Sequence, residues 1–207
     1  MTAAYADMEQ TRSRLELATL LADLFSDTPP EELAAVAHLC LGQLGPAYDS
    51  REVGLSDKSV LRTLALASGI PLEELQESYA AAGDIGLVAE EALAAKSQQS
   101  LFEAPLTVGR VWERLHALSH ETGTGSQERK FRALAELLHD GTPQDARYIC
   151  RTAVGKLRLG FSQMLLVDGL AEAFGSREER GMVEAAYNRH PDIGWLAQRA
   201  AADFDSL

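Results

Sequence analysis

The chain holds only two cysteines, four lysines and 6% aromatic residues in its 207 positions. Cys40 and Cys150 lie far apart and match no metal-ligand spacing. That excludes a disulfide framework and a zinc cluster, and leaves two small core residues of a reduced, cytoplasmic protein. Also lacking is any apolar run near the ~20 residues that cross a bilayer. The N-terminus carries Asp7 and Glu9 without the basic-then-apolar order of a signal peptide, so no membrane partner is expected. The histidines (His38, His116, His120, His139 and His190) show no His-Glu-x-x-His pattern, and His116 and His120, four apart, have no third ligand in view. No metal site is expected. A Gly-x-Ser-x-Gly elbow and a Gly-Lys-Ser/Thr phosphate loop are missing too, which removes the serine-hydrolase and P-loop readings.

What is abundant is leucine and alanine, which favour helices over a sheet. The length allows one large domain or two small ones with a sizeable core. Apolar positions at helical spacing run from about Met8 to Phe25, and a second helix, opened by Pro30 ahead of Glu31 and Glu32, runs to Cys40. Glycine and proline then punctuate the chain at Gly42, Gly45-Pro46, Gly69-Ile70-Pro71 and Gly83. Between them the spacing predicts helices over 56–67, 72–82 and 87–96. Nowhere does the alternation of a strand persist. The fold class expected is all-α.

An internal repeat matters more than any single helix. Leu21-Ala22-Asp23-Leu24-Phe25 matches Leu134-Ala135-Glu136-Leu137-Leu138 at an offset of 113, which also aligns Pro30 with Pro143, Gly42 with Gly155 and Leu44 with Leu157. Further on, Tyr79, Asp84-Ile85-Gly86 and Ala89 match Tyr187, Asp192-Ile193-Gly194 and Ala197 at an offset of 108. Two such matches in the same order point to duplication. The expectation is a pseudo-two-fold bundle of about ten to twelve short helices, with halves 10–95 and 120–203 and a polar linker over 97–105. Because duplex DNA has a two-fold backbone of its own, two similar turns could hold phosphates on either side of one groove.

Charge is unevenly spread. The net charge is −12, yet residues 110–158 hold nine of the nineteen Lys and Arg against six of the thirty-one Asp and Glu. A basic segment in an acidic body fits a protein that meets a polyanion on one face only. Within that segment, Val154-Gly155-Lys156-Leu157-Arg158-Leu159-Gly160 alternates cations with leucines between two glycines. Its backbone amides and cations suit an anion, with the leucines as anchors and Ser162 as cap of the next helix. A tight turn with solvated cations explains the same residues equally well. Gly123-Thr124-Gly125-Ser126-Gln127 leading to Lys130, and Thr11-Arg12-Ser13-Arg14 in the first half, are flexible starts that read either as helix caps or as phosphate contacts.

Several segments now recur in a known order: Thr11-Arg12-Ser13-Arg14, Gly83-Asp84-Ile85-Gly86, Pro105-Leu106-Thr107-Val108, Gly125 through Lys130, and Ala146 through Gly160. Over almost the whole chain this order resembles the N-terminal DNA-binding domain of ATP-dependent DNA ligases of the archaeal and eukaryotic type. The Gly-Lys-Leu-Arg-Leu-Gly turn and the Gly-Ser-Gln loop are its most specific parts. The resemblance implies a single 1–207 module that binds nicked duplex DNA without sequence preference, through phosphates and sugars across the minor groove. The contacts it implies are Gly125, Ser126, Gln127 and Lys130, then Gly155, Lys156, Arg158 and Gly160, with Thr11, Ser13 and Arg14 on the other side of the nick. In the first half, Gln43 stands where family members often carry a cation.

The resemblance further implies a monomer of the cytoplasm, nucleoid-associated or nuclear according to the cell, and a parent whose nucleotidyltransferase and OB-fold domains use ATP and Mg²⁺. Gln98-Gln99-Ser100-Leu101-Phe102 is similar to the sliding-clamp motif of archaeal ligases, in which Gln98 would hydrogen-bond the clamp while Leu101 and Phe102 fill an apolar pocket. From a different class, a helical protein-interaction scaffold such as a clamp adaptor fits the acidic composition. None of Lys58, Lys96, Lys130 and Lys156 begins the Lys-x-Asp-Gly motif that takes up AMP, so no cofactor and no catalytic residue are expected in this chain. Incubated with ATP and Mg²⁺ and weighed by mass spectrometry, the chain should gain no AMP adduct. An adduct would overturn that reading.

Overall fold

Side-chain caps mark the start of seven of the helices among the described residues. In the computed structural model, which describes residues 1–49, 51–95 and 106–207, twelve α-helices and no strand are found among the described residues. The helix expected from about Met8 to Phe25 starts only at Arg14, and a separate short helix ends at Met8. α1 spans Thr2–Met8 and α2 spans Arg14–Ser26, because Ser13 adopts an extended conformation and accepts the Glu16 amide. α3 follows at Leu33–Cys40. Ser56 caps α4 (Asp57–Ser68), α5 covers Leu72–Ala82, and Asp84 caps α6 (Ile85–Ala94) by taking the Gly86 and Leu87 amides. α6 therefore starts directly after its cap, two residues before the Leu87 that opened the apolar pattern.

Thr107 caps α7 (Val108–His120), and Gly125 precedes α8 (Ser126–Asp140). α9 (Pro143–Ala153) has a full capping box, in which Thr142 and Asp145 satisfy each other's backbone amides. As expected, Ser162 caps α10 (Gln163–Phe174). α11 (Arg180–Arg189) and α12 (Ile193–Ala202), the latter capped by Asp192, complete the set, with 3₁₀ turns at Arg177–Glu179 and Phe204–Ser206.

Contacts divide the chain into two units, residues 1–51 with 157–207, and residues 52–156. Neither is a sequence half. Each joins the opening helices of one copy of the repeat to the closing helices of the other. In the first unit α2 packs on α10 and α3 on α12. Leu21 and Phe25 of α2 are buried with Leu166 and Leu170 of α10, and a Cβ on Gly169 would lie only 2.8 Å from the Leu21 Cβ. In the second unit the corresponding pairs are α8 on α4 and α9 on α6. There Leu134 and Leu137 are buried with Val60 and Leu64, and Ile149 and Cys150 with Ile85 and Ala89. Burying each such leucine contributes roughly 2 kcal/mol. The pattern is physically natural, since a short helix with one apolar face needs a partner face, and nothing obliges that partner to be its nearest neighbour in sequence.

The repeated aspartates explain why the closing helices dock so closely. Asp84 Oδ1 takes the Gly86 amide at 2.8 Å and the Arg151 Nε at 3.0 Å, while Oδ2 takes Arg151 NH2 at 2.8 Å. The pair is buried, with side chains 8% and 5% exposed. Asp192 repeats the cap on Gly194 and Trp195, and its Oδ1 lies 3.2 Å from Nε2 of His38, the residue that the 113 offset aligns with Arg151. Gly86 and Gly194 follow the two aspartates because no Cβ fits. At Gly86 it would stand 2.7 Å from the Arg147 carbonyl oxygen, and at Gly194 it would collide with the His38 ring.

Burial alone would push the Asp84 carboxyl up; the Arg151 hydrogen bonds and charge, with the Gly86 and Leu87 amides, outweigh it and hold Asp84 below the usual carboxylate value. A depressed folded value means that the stabilisation is present above about pH 4, the unfolded value, and is lost as pH falls through the folded one. Asp84→Asn leaves Arg151 buried without its counter-charge and should cost about 3–5 kcal/mol in a denaturant titration at pH 7. The deficit should shrink at the acid end, where wild type loses the same charge. A constant deficit down to the lowest pH at which both fold would refute the ion pair as its source.

Candidate nucleic-acid interface

In the second unit the two motifs singled out from sequence converge on one stretch, Val53 to Asp57, which leads into α4. Lys130, on the second turn of α8, is 7% exposed, and its Nζ donates to the Val53 carbonyl at 2.6 Å. Lys156 reaches the same stretch from beyond α9, its Nζ 2.9 Å from Asp57 Oδ2. Lys130 thus has a structural task that the sequence did not reveal. Its ammonium satisfies a peptide oxygen at the approach to the Ser56 cap, and its chain is part of the core.

The Gly125 loop is held from behind by Arg129. Its Nε donates to Glu121 at 2.7 Å, and its two terminal nitrogens donate to the Thr124 and Thr122 carbonyls, each at 3.1 Å. Those bonds fix a short loop that leaves Gly125 and Gln127 exposed and Ser126 half-buried at the first turn of α8. Amide groups at such a turn point outward and attract anions. Sequence reasoning missed Arg129 because its role depends on the loop folding back over it. An arginine one turn after a Gly-x-Gly loop is the only signal available.

Gly155 ends α9 at φ +69°, a conformation that side chains rarely adopt, and the Lys156 amide closes on the Arg151 carbonyl at 2.8 Å. The first copy makes the same turn, with Gly42 at φ +67° and the Gln43 amide on the His38 carbonyl at 3.0 Å. The difference is chemical: Gln43 stands where the second copy has Lys156. Gly155 and Lys156 are exposed and belong to the second unit.

Arg158 and Gly160 belong to the first unit, and both are exposed. Between Lys156 and Arg158, Leu157 is buried, and a Cβ on Gly42 would lie 3.0 Å from its own Cβ. Leu157 is therefore the anchor expected of it, while Leu159 is half-buried. Arg158 has φ +63°, the one non-glycine with positive φ among the described residues. That conformation costs roughly 1–2 kcal/mol and presents the guanidinium on an exposed turn.

Also in the first unit, Thr11, Ser13 and Arg14 form one cluster. Ser13 caps α2, the Ser13 amide donates to Thr11 Oγ1 at 3.1 Å, and Thr11 Oγ1 donates to Glu16 at 2.5 Å. Arg14 Nε reaches Asp168 at 2.8 Å, beside a cavity of about 500 Å³ that Arg177 and Arg180 also line. The hydrogen bonds from Arg177 hold the Glu172 carboxyl of that cavity below its usual value. Arg180 also bonds Asp168 and Glu184. Carboxylates thus balance the arginines here.

The clamp-like residues Gln98, Leu101 and Phe102, with the whole linker over 97–105, lie outside the described residues. Asp84 and Asp192 serve as caps, and Trp112 packs against His116 with the rings tilted by 49° and their centres 4.2 Å apart. Among the described residues no group of three or more His, Cys, Asp or Glu side chains could hold a metal ion, and no helix is long and apolar enough to cross a membrane.

The family model described as DNA ligase N terminus matches residues 1–171, and the chain belongs to that family. It is 43% identical to DNA ligase 2 of Korarchaeum cryptofilum over 198 residues, which is 95% of this chain and 33% of the relative. It is also 43% identical to DNA ligase 2 of Thermofilum pendens over 205 residues, 95% of this chain and 34% of the relative. With a DNA ligase of Nitrosopumilus maritimus the identity is 36% over 201 residues, 97% and 34% of the two chains. The chain therefore spans about a third of the length of the curated relatives it matches.

Two substitutions separate structural from surface roles. Lys130→Met keeps the buried stem but leaves the Val53 carbonyl without its donor, and should cost about 1–3 kcal/mol of stability in a denaturant titration. Arg158→Gly relieves the left-handed backbone, so its midpoint should be no lower than wild type. A stable Lys130→Met or a strongly destabilised Arg158→Gly would contradict these assignments.

Proposed function

We propose that this domain holds duplex DNA at a nick through sequence-independent contacts to phosphates and sugars across the minor groove, so that the rest of a parent ATP-dependent DNA ligase can seal it. The observation that carries the reading is the exposed turn with Lys156 and Arg158, in a chain that belongs to the DNA ligase N-terminal family. Gly155 and Gly160 let the backbone approach a phosphate closely, Lys156 and Arg158 bring charge, and the Gly125-Ser126-Gln127 start of α8 adds outward-facing donors. Thr11, Ser13 and Arg14 would make the corresponding contacts beyond the nick. Adenylation and sealing, with ATP and Mg²⁺, belong to nucleotidyltransferase and OB-fold domains of the parent.

With few phosphate contacts and a net charge of −12, the domain should bind weakly, on the order of micromolar at physiological salt. Fluorescence anisotropy of a labelled nicked duplex across salt concentrations tests this. Binding should fall linearly in a log–log plot, with a slope near −0.9 for each phosphate neutralised. Lys156→Glu with Arg158→Glu should abolish it while circular dichroism stays unchanged. Undiminished affinity in that folded variant would rule the reading out and favour the helical scaffold.

A further inference from the structure

In the second unit a carboxylate already occupies a place where an anion would settle. Asp57 is the first residue of α4, directly after the Ser56 cap, at the helix end that favours negative charge. Its Oδ2 also receives the Lys156 ammonium at 2.9 Å. Both groups are accessible, Lys156 with 51% and Asp57 with 28% of the side chain exposed, so the pair contributes little to the fold. Nor does the start of α4 need the acid. Ser56 already supplies the cap, and α10, also twelve residues long and capped by Ser162, carries Gln163 at the same position.

We propose that Asp57 is a built-in competitor for the DNA phosphate at Lys156. This inference rests on the DNA-binding reading of Lys156 given above. A phosphate that reaches the ammonium must compete with the carboxylate, which stays beside it as a like charge. The exchange of one ion pair for another gains less than the neutralisation of an uncompensated cation. Asp57 therefore lowers the affinity of the domain for duplex and speeds its release, without touching the DNA.

The test is anisotropy with the nicked duplex at low and physiological salt, comparing wild type with Asp57→Gln, which installs the residue found at the start of α10. Asp57→Asn serves as a second variant of unchanged size, and thermal melting checks the fold of each. Binding should tighten about three- to tenfold at low salt and less at high salt. The same substitution in a Lys156→Gln background should give almost no gain, and Glu77→Gln, an equal charge change on the exposed face of α5, should do little in either background. Unchanged or weaker binding by a folded Asp57 variant overturns the proposal; weaker binding would make Asp57 a positioning residue for Lys156. A gain that persists without Lys156 overturns it too, because it would report net charge alone. If wild type binds no duplex even at low salt, the DNA-binding reading fails first and this inference with it.

Discussion

One carboxylate holding a helix end and a partner helix together is the interaction on which each unit depends. Asp84 caps α6 and grips Arg151 of α9; Asp192 caps α12 and meets His38 of α3. A cap normally satisfies only its own helix. Here it also fixes which foreign helix lies alongside, because the glycine two residues on admits that helix at backbone contact. The two functions reinforce each other, since a carboxylate already oriented by two amides is a better partner for a buried guanidinium. Once these joints are in place, α9 and α3 can end only where they do, and the glycine turns after them follow.

That dependence reaches the candidate interface. The turn after α9 presents Lys156 because Gly155 closes the helix that Asp84 holds, and because the buried Leu157 ties down the next residue. The turn after α3 has the same backbone and a glutamine in place of the lysine. The two turns share a backbone, and they differ in the residue after the glycine, a half-buried Gln43 in one and an exposed Lys156 in the other. Lys130 shows the opposite course: a cation withdrawn into the core, where it serves the backbone.

Much of this was legible in the sequence. The all-α class followed from composition, and the repeat followed from matched residues at Gly42 and Gly155 and at Asp84 and Asp192. Cap positions such as Ser162 were legible because short polar side chains before an apolar run have one dominant use. The start of α2 at Arg14 was hidden, because Thr11 and Ser13 are both capping residue types and only the backbone shows which of them caps. The exchange of helices between copies was hidden as well. Periodicity tells which face of a helix must be covered but not which helix will cover it. The burial of Lys130 and the grip of Arg129 on its loop depend on that same tertiary information, and so does the pairing of Lys156 with Asp57.

The make-up of the two units also bears on the order in which they can fold. The second unit lies within one continuous stretch, 52–156, and can close as soon as that stretch has left the ribosome. The first unit cannot. Its opening helices α2 and α3 emerge first, yet the faces they cover belong to α10 and α12, more than a hundred residues later. Until then Leu21, Phe25 and Leu33 lack their native cover, and the loop that must be closed to provide it contains a folded neighbour. Prior folding of that neighbour shortens the effective loop and lowers the entropic cost of closing it. The continuous unit can therefore close first, and the earliest helices of the discontinuous unit are secured last.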